Sequence, residues 1–151
     1  MANLKIGPLQ HWTLVTRDVA QSKRFYTEVL GAEEVDREWP PSVILGGTVV
    51  DLFQAGGDQQ PSPGTRGQHH AYDIPLDDFD AWVDRLTAKG VPHQLANHGV
   101  HRISIYIEDP DGYHLELTSG IESEEQGRQE IEKRGIARLG NPAGPHSGGR
   151  P

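Results

Sequence analysis

The chain has 151 residues, with 14 Lys+Arg, 22 Asp+Glu, 8 His and no Cys, for a formal charge of −8. That length suits one domain with a sizeable core or two small halves that share one, and the lack of Cys excludes disulfides, iron–sulfur clusters, zinc thiolates and thiol nucleophiles. The acidic balance argues against a nucleic-acid partner, and no apolar run approaches the ~20 residues of a membrane span or the apolar core of a signal peptide, so a cytoplasmic protein is expected.

From His11 the chain reads HWTLVTRD, an alternating strand. Asp18 to Leu30 follows as a helix, with Val19, Phe25, Val29 and Leu30 at helical spacing and Gly31 closing it. Three extended segments come next, near Glu33–Arg37, Ser42–Leu45 and Thr48–Gln54, with Gly46-Gly47 as a hairpin turn. After a Pro- and Gly-rich linker at 60–64 the order returns. HHAYDIP from His69 is a strand, and Leu76 to Lys89 is a helix with Phe79, Trp82, Val83 and Leu86 on one stripe, closed by Gly90. Strands are expected near Val91–Leu95, Arg102–Glu108 and Tyr113–Thr118, the last two joined by the turn Asp109-Pro110-Asp111-Gly112. Ile121 to Leu139 reads as a charged surface helix with a thin apolar side, and Gly140 to Pro151 is dominated by Gly and Pro.

The chain is thus an α+β fold of paired βαβββ modules, about 9–57 and 67–119, in one domain over 1–120, followed by a C-terminal helix and tail over 121–151. Neither half can bury both faces of its own sheet, so the sheets are expected to close around a shared space with helices outside. If Trp12, Leu14, Tyr72 and Ile74 pack against helices, His11 and His69 face that space. Glu116, on the closing strand of the second half, joins them. Two imidazoles and one carboxylate on rigid strands can hold Fe(II), Mn(II) or Zn(II) and leave positions open for substrate. His70 differs from His69 only in strand parity; His69 is preferred because its spacing to Tyr72 repeats that of His11 to Leu14. Asp51 is the repeat counterpart of Glu116 and a candidate extra ligand or hydrogen-bond acceptor. His93, His101 and His146 are expected to need no function, although His101 is close enough in sequence to compete with His98.

Several runs resemble the vicinal oxygen chelate superfamily. They are His11-x-x-Leu14-Val15-Thr16-x-Asp18, Ser22-x-x-Phe25-Tyr26-x-x-Val29-Leu30-Gly31, His69-x-Ala71-Tyr72-x-Ile74 and Asp109-Pro110-Asp111-Gly112-x-x-x-Glu116-Leu117. That group includes glyoxalase I, fosfomycin-resistance transferases, methylmalonyl-CoA epimerase, bleomycin-binding proteins and extradiol dioxygenases. The resemblance covers about Leu9 to Ser119 and implies the half-barrel metal site of that fold. The run from His98 through Ile105-Tyr106 and Asp109-Pro110 to Glu116 is similar to the extradiol signature. There it implies His98 and Tyr106 as acid–base and hydrogen-bonding groups beside an iron held by His11, His69 and Glu116. Ala96 departs from the residue type usual in that signature, and Ala55 to Thr65 lacks a further active-site His that many two-domain extradiol enzymes carry.

The resemblance implies an Fe(II)-dependent extradiol dioxygenase that acts on a small catechol, L-DOPA-like in class, with O2. Arg17, Arg66 or Arg102 would pair with a substrate carboxylate. The alternatives are a glyoxalase- or epimerase-type enzyme using Zn, Ni, Co or Mn, with Asp51 as an added ligand, and a non-catalytic drug-binding protein. A homo-oligomer is expected, because paired modules expose sheet edges.

Overall fold

The computed structural model describes residues 4–139, so the Gly/Pro-rich tail and His146 lie outside the described residues. The chain divides into two compact units. One runs to Pro63 and takes in Asp109–Tyr113; the other comprises Gly64–Glu108 and the chain from His114 onward. No helix among the described residues is long and apolar enough to cross a membrane.

The first unit holds β1 (His11–Thr16), α1 (Val19–Arg24), β2 (Glu33–Glu34), β3 (Ser42–Leu45) and β4 (Thr48–Gln54), in one sheet of order β1-β4-β3-β2. β1 runs parallel to β4, and the other pairs are antiparallel. Asp18 starts α1, its side chain accepting from the Gln21 N–H at 2.9 Å. The helix then widens into a π-helical turn over Phe25–Val29. That widening puts Tyr26, Val29 and Leu30 in the core with Trp12, Leu14, Val50 and Leu52, and leaves Phe25 half-buried instead of on the expected stripe. Tyr26 is fully buried because its hydroxyl finds the Asp109 carboxylate at 3.0 Å. The expected strand Glu33–Arg37 pairs only at Glu33 and Glu34, since Pro40 and Pro41 have no N–H to extend the ladder and Arg37 turns back toward Ser42.

The turn Asp109–Tyr113 is anchored in this unit. The Asp109 carboxylate accepts from the N–H groups of Asp111 and Tyr113 at 2.9 Å, and Gly112 adopts φ +89, open only to Gly at low cost. Burial pushes the Asp109 carboxyl above the usual range, its hydrogen bonds opposing the shift. Arg17 pairs with Asp111 at 3.1 Å, and the Tyr113 hydroxyl donates to the Val15 carbonyl at 3.0 Å.

The second unit repeats the plan: β5 (His70–Asp73), α2 (Phe79–Ala88, preceded by a 3-10 turn at Leu76–Asp78), β6 (His93–Asn97), β7 (Arg102–Glu108) and β8 (His114–Gly120), in the order β5-β8-β7-β6. β6 starts two residues later than expected, beyond Pro92. Phe79 and Leu86 of α2 are fully buried, each contributing about 1.5–3 kcal/mol, while Trp82 and Val83 are half-buried. The charged segment forms α3 (Glu124–Arg134), shorter than expected because Ser123 caps its start and Gly135, at φ +60, ends it. Its expected apolar side is carried by flanking residues, Ile121 and Ile136, both buried.

Candidate functional site

Strand register sorts the candidates. In the first sheet Thr13 lies opposite Asp51, and in the second Ala71 lies opposite Glu116. Asp51 and Glu116 are therefore equivalent positions. His69, two residues before Ala71, takes the place of His11, two residues before Thr13, which favours His69 over His70. On the other face of the second sheet lie Leu115, Leu117, Ile103, Ile105 and Ile107, all buried. The face with Glu116 is polar: Tyr106 lies directly opposite it, and Ser104 and Thr118 hydrogen-bond at 3.0 Å.

Within the second unit four predicted residues meet. Glu116 is 5% exposed, with Oε2 2.7 Å from His69 Nε2 and Oε1 3.4 Å from His98 Nε2. The Tyr106 hydroxyl is 3.0 Å from His98 Nε2 and also hydrogen-bonds Glu116. Its ring meets that of His69 edge-on, with centroids 5.6 Å apart. Burial, then the Glu116 charge, pushes the Tyr106 phenol up to about 12, with Arg66 and Arg102 opposing. At neutral pH Tyr106 is thus a hydroxyl donor and not a phenolate.

His69 is oriented by a group that carries no sequence signal. Its Nδ1 lies 3.1 Å from the Arg66 carbonyl, an atom that can only accept, so the hydrogen sits on Nδ1 and the Nε2 lone pair faces Glu116. Two acceptors facing at 2.7 Å require a proton or a metal cation between them. The separation also approaches the ~3 Å edge between neighbouring ligands of an octahedral first-row ion with bonds of about 2.1 Å. The pair therefore fits two cis ligands of a divalent metal. Among the described residues no group of three or more His, Asp or Glu side chains is arranged to hold a metal ion.

His11 lies in the first unit, at the exposed start of β1, its Nδ1 against the Gln10 side-chain oxygen. Asp51 has other partners. The Arg37 guanidinium donates to it, and the Ser42 hydroxyl donates at 2.6 Å, so the carboxylate is neutralised within its own unit. Of the three arginines considered for a substrate carboxylate, Arg17 is engaged by Asp111. Arg66 lies over the Tyr106 ring, 4.7 Å from its centroid. Arg102 is exposed at the start of β7.

The family described as the Glyoxalase/Bleomycin resistance protein/Dioxygenase superfamily matches residues 8–117. The glutathione transferase FosA of Serratia marcescens is 30% identical over 117 residues, which cover 74% of this chain and 80% of that protein. Among solved structures, the oxidase ChaP-H2 is 26% identical with a TM-score of 0.64, covering 78% of this chain and 96% of its own. The fosfomycin resistance protein FosX from Mesorhizobium loti is also 26% identical, with a TM-score of 0.61 and 78% and 95% coverage. With a match over that span, and two sheets that each repeat the βαβββ order, the chain belongs to the glyoxalase/bleomycin resistance/dioxygenase superfamily.

Proposed function

We propose that the chain is an Fe(II)-dependent extradiol dioxygenase that opens the ring of a small catechol with O2, with His11, His69 and Glu116 as metal ligands. The observation that carries this reading is the pair His98–Tyr106, 3.0 Å apart and both against Glu116. When bound, a ferrous ion would supply chelation of both catechol oxygens and a position for dioxygen. His98, within hydrogen-bond reach of the Tyr106 hydroxyl, takes the proton that a catechol loses on binding. Tyr106 stays protonated and donates a hydrogen bond to a substrate oxygen. The Arg66 carbonyl keeps His69 in the tautomer a metal requires.

The glyoxalase-type alternative needs Asp51 as a ligand, and the grip of Arg37 and Ser42 on Asp51 counts against it. A second reading, a thiol transferase acting on fosfomycin, is favoured by the 30% identity to the glutathione transferase FosA together with the 26% identity to the fosfomycin resistance protein FosX.

The test is protein reconstituted anaerobically with Fe(II) and given a catechol panel that includes L-DOPA, in an oxygen electrode with absorbance recording. Equimolar O2 uptake with a yellow ring-opened semialdehyde is expected. No uptake across the panel overturns the reading, and thiol addition to fosfomycin in its place establishes the second.

A further inference from the structure

We propose that the C-terminal segment is a positioning device for His98, acting through Asn97; the inference rests on the reading of His98 as an active-site group. Asn97 ends β6, is 6% exposed, and has its four polar groups engaged. Its side-chain amide donates to the Ile136 carbonyl at 2.8 Å and its side-chain oxygen accepts from the Gly99 N–H at 3.3 Å. Its backbone N–H donates to the Ala137 carbonyl at 3.0 Å, and its carbonyl accepts from the Leu139 N–H at 3.1 Å. The residues after α3 thus form a short parallel bridge onto the strand end from which His98 projects.

The far side of the same turn is gripped as well. The Ile121 N–H donates to the His101 carbonyl at 2.9 Å, and Gly127 of α3 lies so close that a Cβ there would stand 1.7 Å from the Val100 oxygen. Residues 97–101 are therefore held at both ends by residues 121–139, beyond the last position of the family match, 117. A buried Asn with three groups bonded to the C-terminal segment and the fourth to Gly99 of its own turn is costly unless every partner is present, so it selects one loop conformation. Because proton transfer requires hydrogen-bond reach, the clamp sets the distance from His98 Nε2 to the Tyr106 hydroxyl.

The test compares the full-length chain with Asn97→Ala, Asn97→Asp and the surface control Arg128→Ala, each also in a His98→Ala background. Asn97→Asp keeps the acceptor for Gly99 and turns the bond to Ile136 into an acceptor–acceptor contact, so it serves if the alanine variant does not fold. The first readout needs no turnover: nuclear Overhauser contacts between the His98 and Tyr106 rings and amide exchange at Gly99 and Leu139. Loss of the ring contacts and at least about tenfold faster exchange are expected in the Asn97 variants, with no change in Arg128→Ala. In catechol turnover kcat should fall about 10- to 100-fold with KM little changed, and the Asn97 substitution should have no further effect once His98 is alanine. Unchanged ring contacts and exchange overturn the proposal, as does an equal loss of kcat in both backgrounds. If no catechol turns over, the dioxygenase reading fails, while ring contacts and exchange still decide whether the clamp positions His98.

Discussion

Gly127→Ala sets two physical expectations against each other. In an exposed helix interior the change gains about 0.4–1 kcal/mol, chiefly because it restricts the unfolded chain. Here the added methyl would stand 1.7 Å from the Val100 carbonyl oxygen, 2.6 Å from its carbon and 3.0 Å from its Cα. A carbon and a carbonyl oxygen approach only to about 3.3 Å, so α3 and the 98–101 turn must separate by well over 1 Å. Both are backbone, and α3 is tied to α2 by Arg134, which donates to Asp80 at 2.6 and 2.9 Å. Overpacking of this kind costs about 1–3 kcal/mol or more, because the neighbour cannot swing aside as a flexible side chain would. The net expectation is destabilisation of about 1–2 kcal/mol, which for a chain of this length lowers Tm by roughly 2–8 °C. Thermal melts followed by circular dichroism measure it, with Gly120→Ala as comparison, since nothing lies within 4 Å of a Cβ there. A Tm for Gly127→Ala at or above wild type would refute the close packing of α3 on the turn.

Tyr106→Phe keeps the ring between His69 and His98 and removes the hydroxyl; kcat in the catechol assay should fall about 10²-fold with stability within about 1 kcal/mol, and unchanged kcat would remove Tyr106 from the site. The Asp80 carboxyl is held below its ordinary 3.8 by hydrogen bonding to Arg134, so its contribution is present above that pH and is lost as pH falls through the lower folded value. Asp80→Asn should therefore lower the unfolding free energy from urea denaturation at pH 7, by no more than about 1 kcal/mol for so exposed a carboxylate, and this difference should shrink progressively below pH 3.8. Arg37→Ala removes the partner that neutralises Asp51; lower stability with unchanged metal affinity is expected, whereas a tenfold gain in affinity would show that Asp51 can ligate once freed.

The repeat was legible because each module carries its own punctuation: a strand with alternating burial, a helix closed by Gly31 or Gly90, and a hairpin. The equivalence of Asp51 with Glu116 could be read from spacing, and the two registers place them alike. Phe25 leaves the expected stripe because the π-helical turn shifts the helix face, and the hydroxyl partner of Tyr26, 83 residues away, explains which aromatic ring is buried. The Arg66 carbonyl had no signature, since every residue carries that acceptor. Arg37 and Asp51 stand far enough apart in sequence that nothing in the local pattern couples them. Gly127 carries no local signal either, since its role depends on the Val100 backbone, 27 positions earlier in the chain.

The proposal that His69 and Glu116 are ligands of a divalent metal, with His11 as the third proposed ligand, is open to direct measurement. Equilibrium titration of metal-free protein with Mn(II), read by electron paramagnetic resonance of the free ion, tests it on wild type and on His69→Ala, Glu116→Gln and His11→Ala. One Mn(II) per chain is expected for wild type, with affinity at least about 10- to 100-fold weaker in each variant. Equal binding by wild type and Glu116→Gln, or no binding by wild type, would contradict the account.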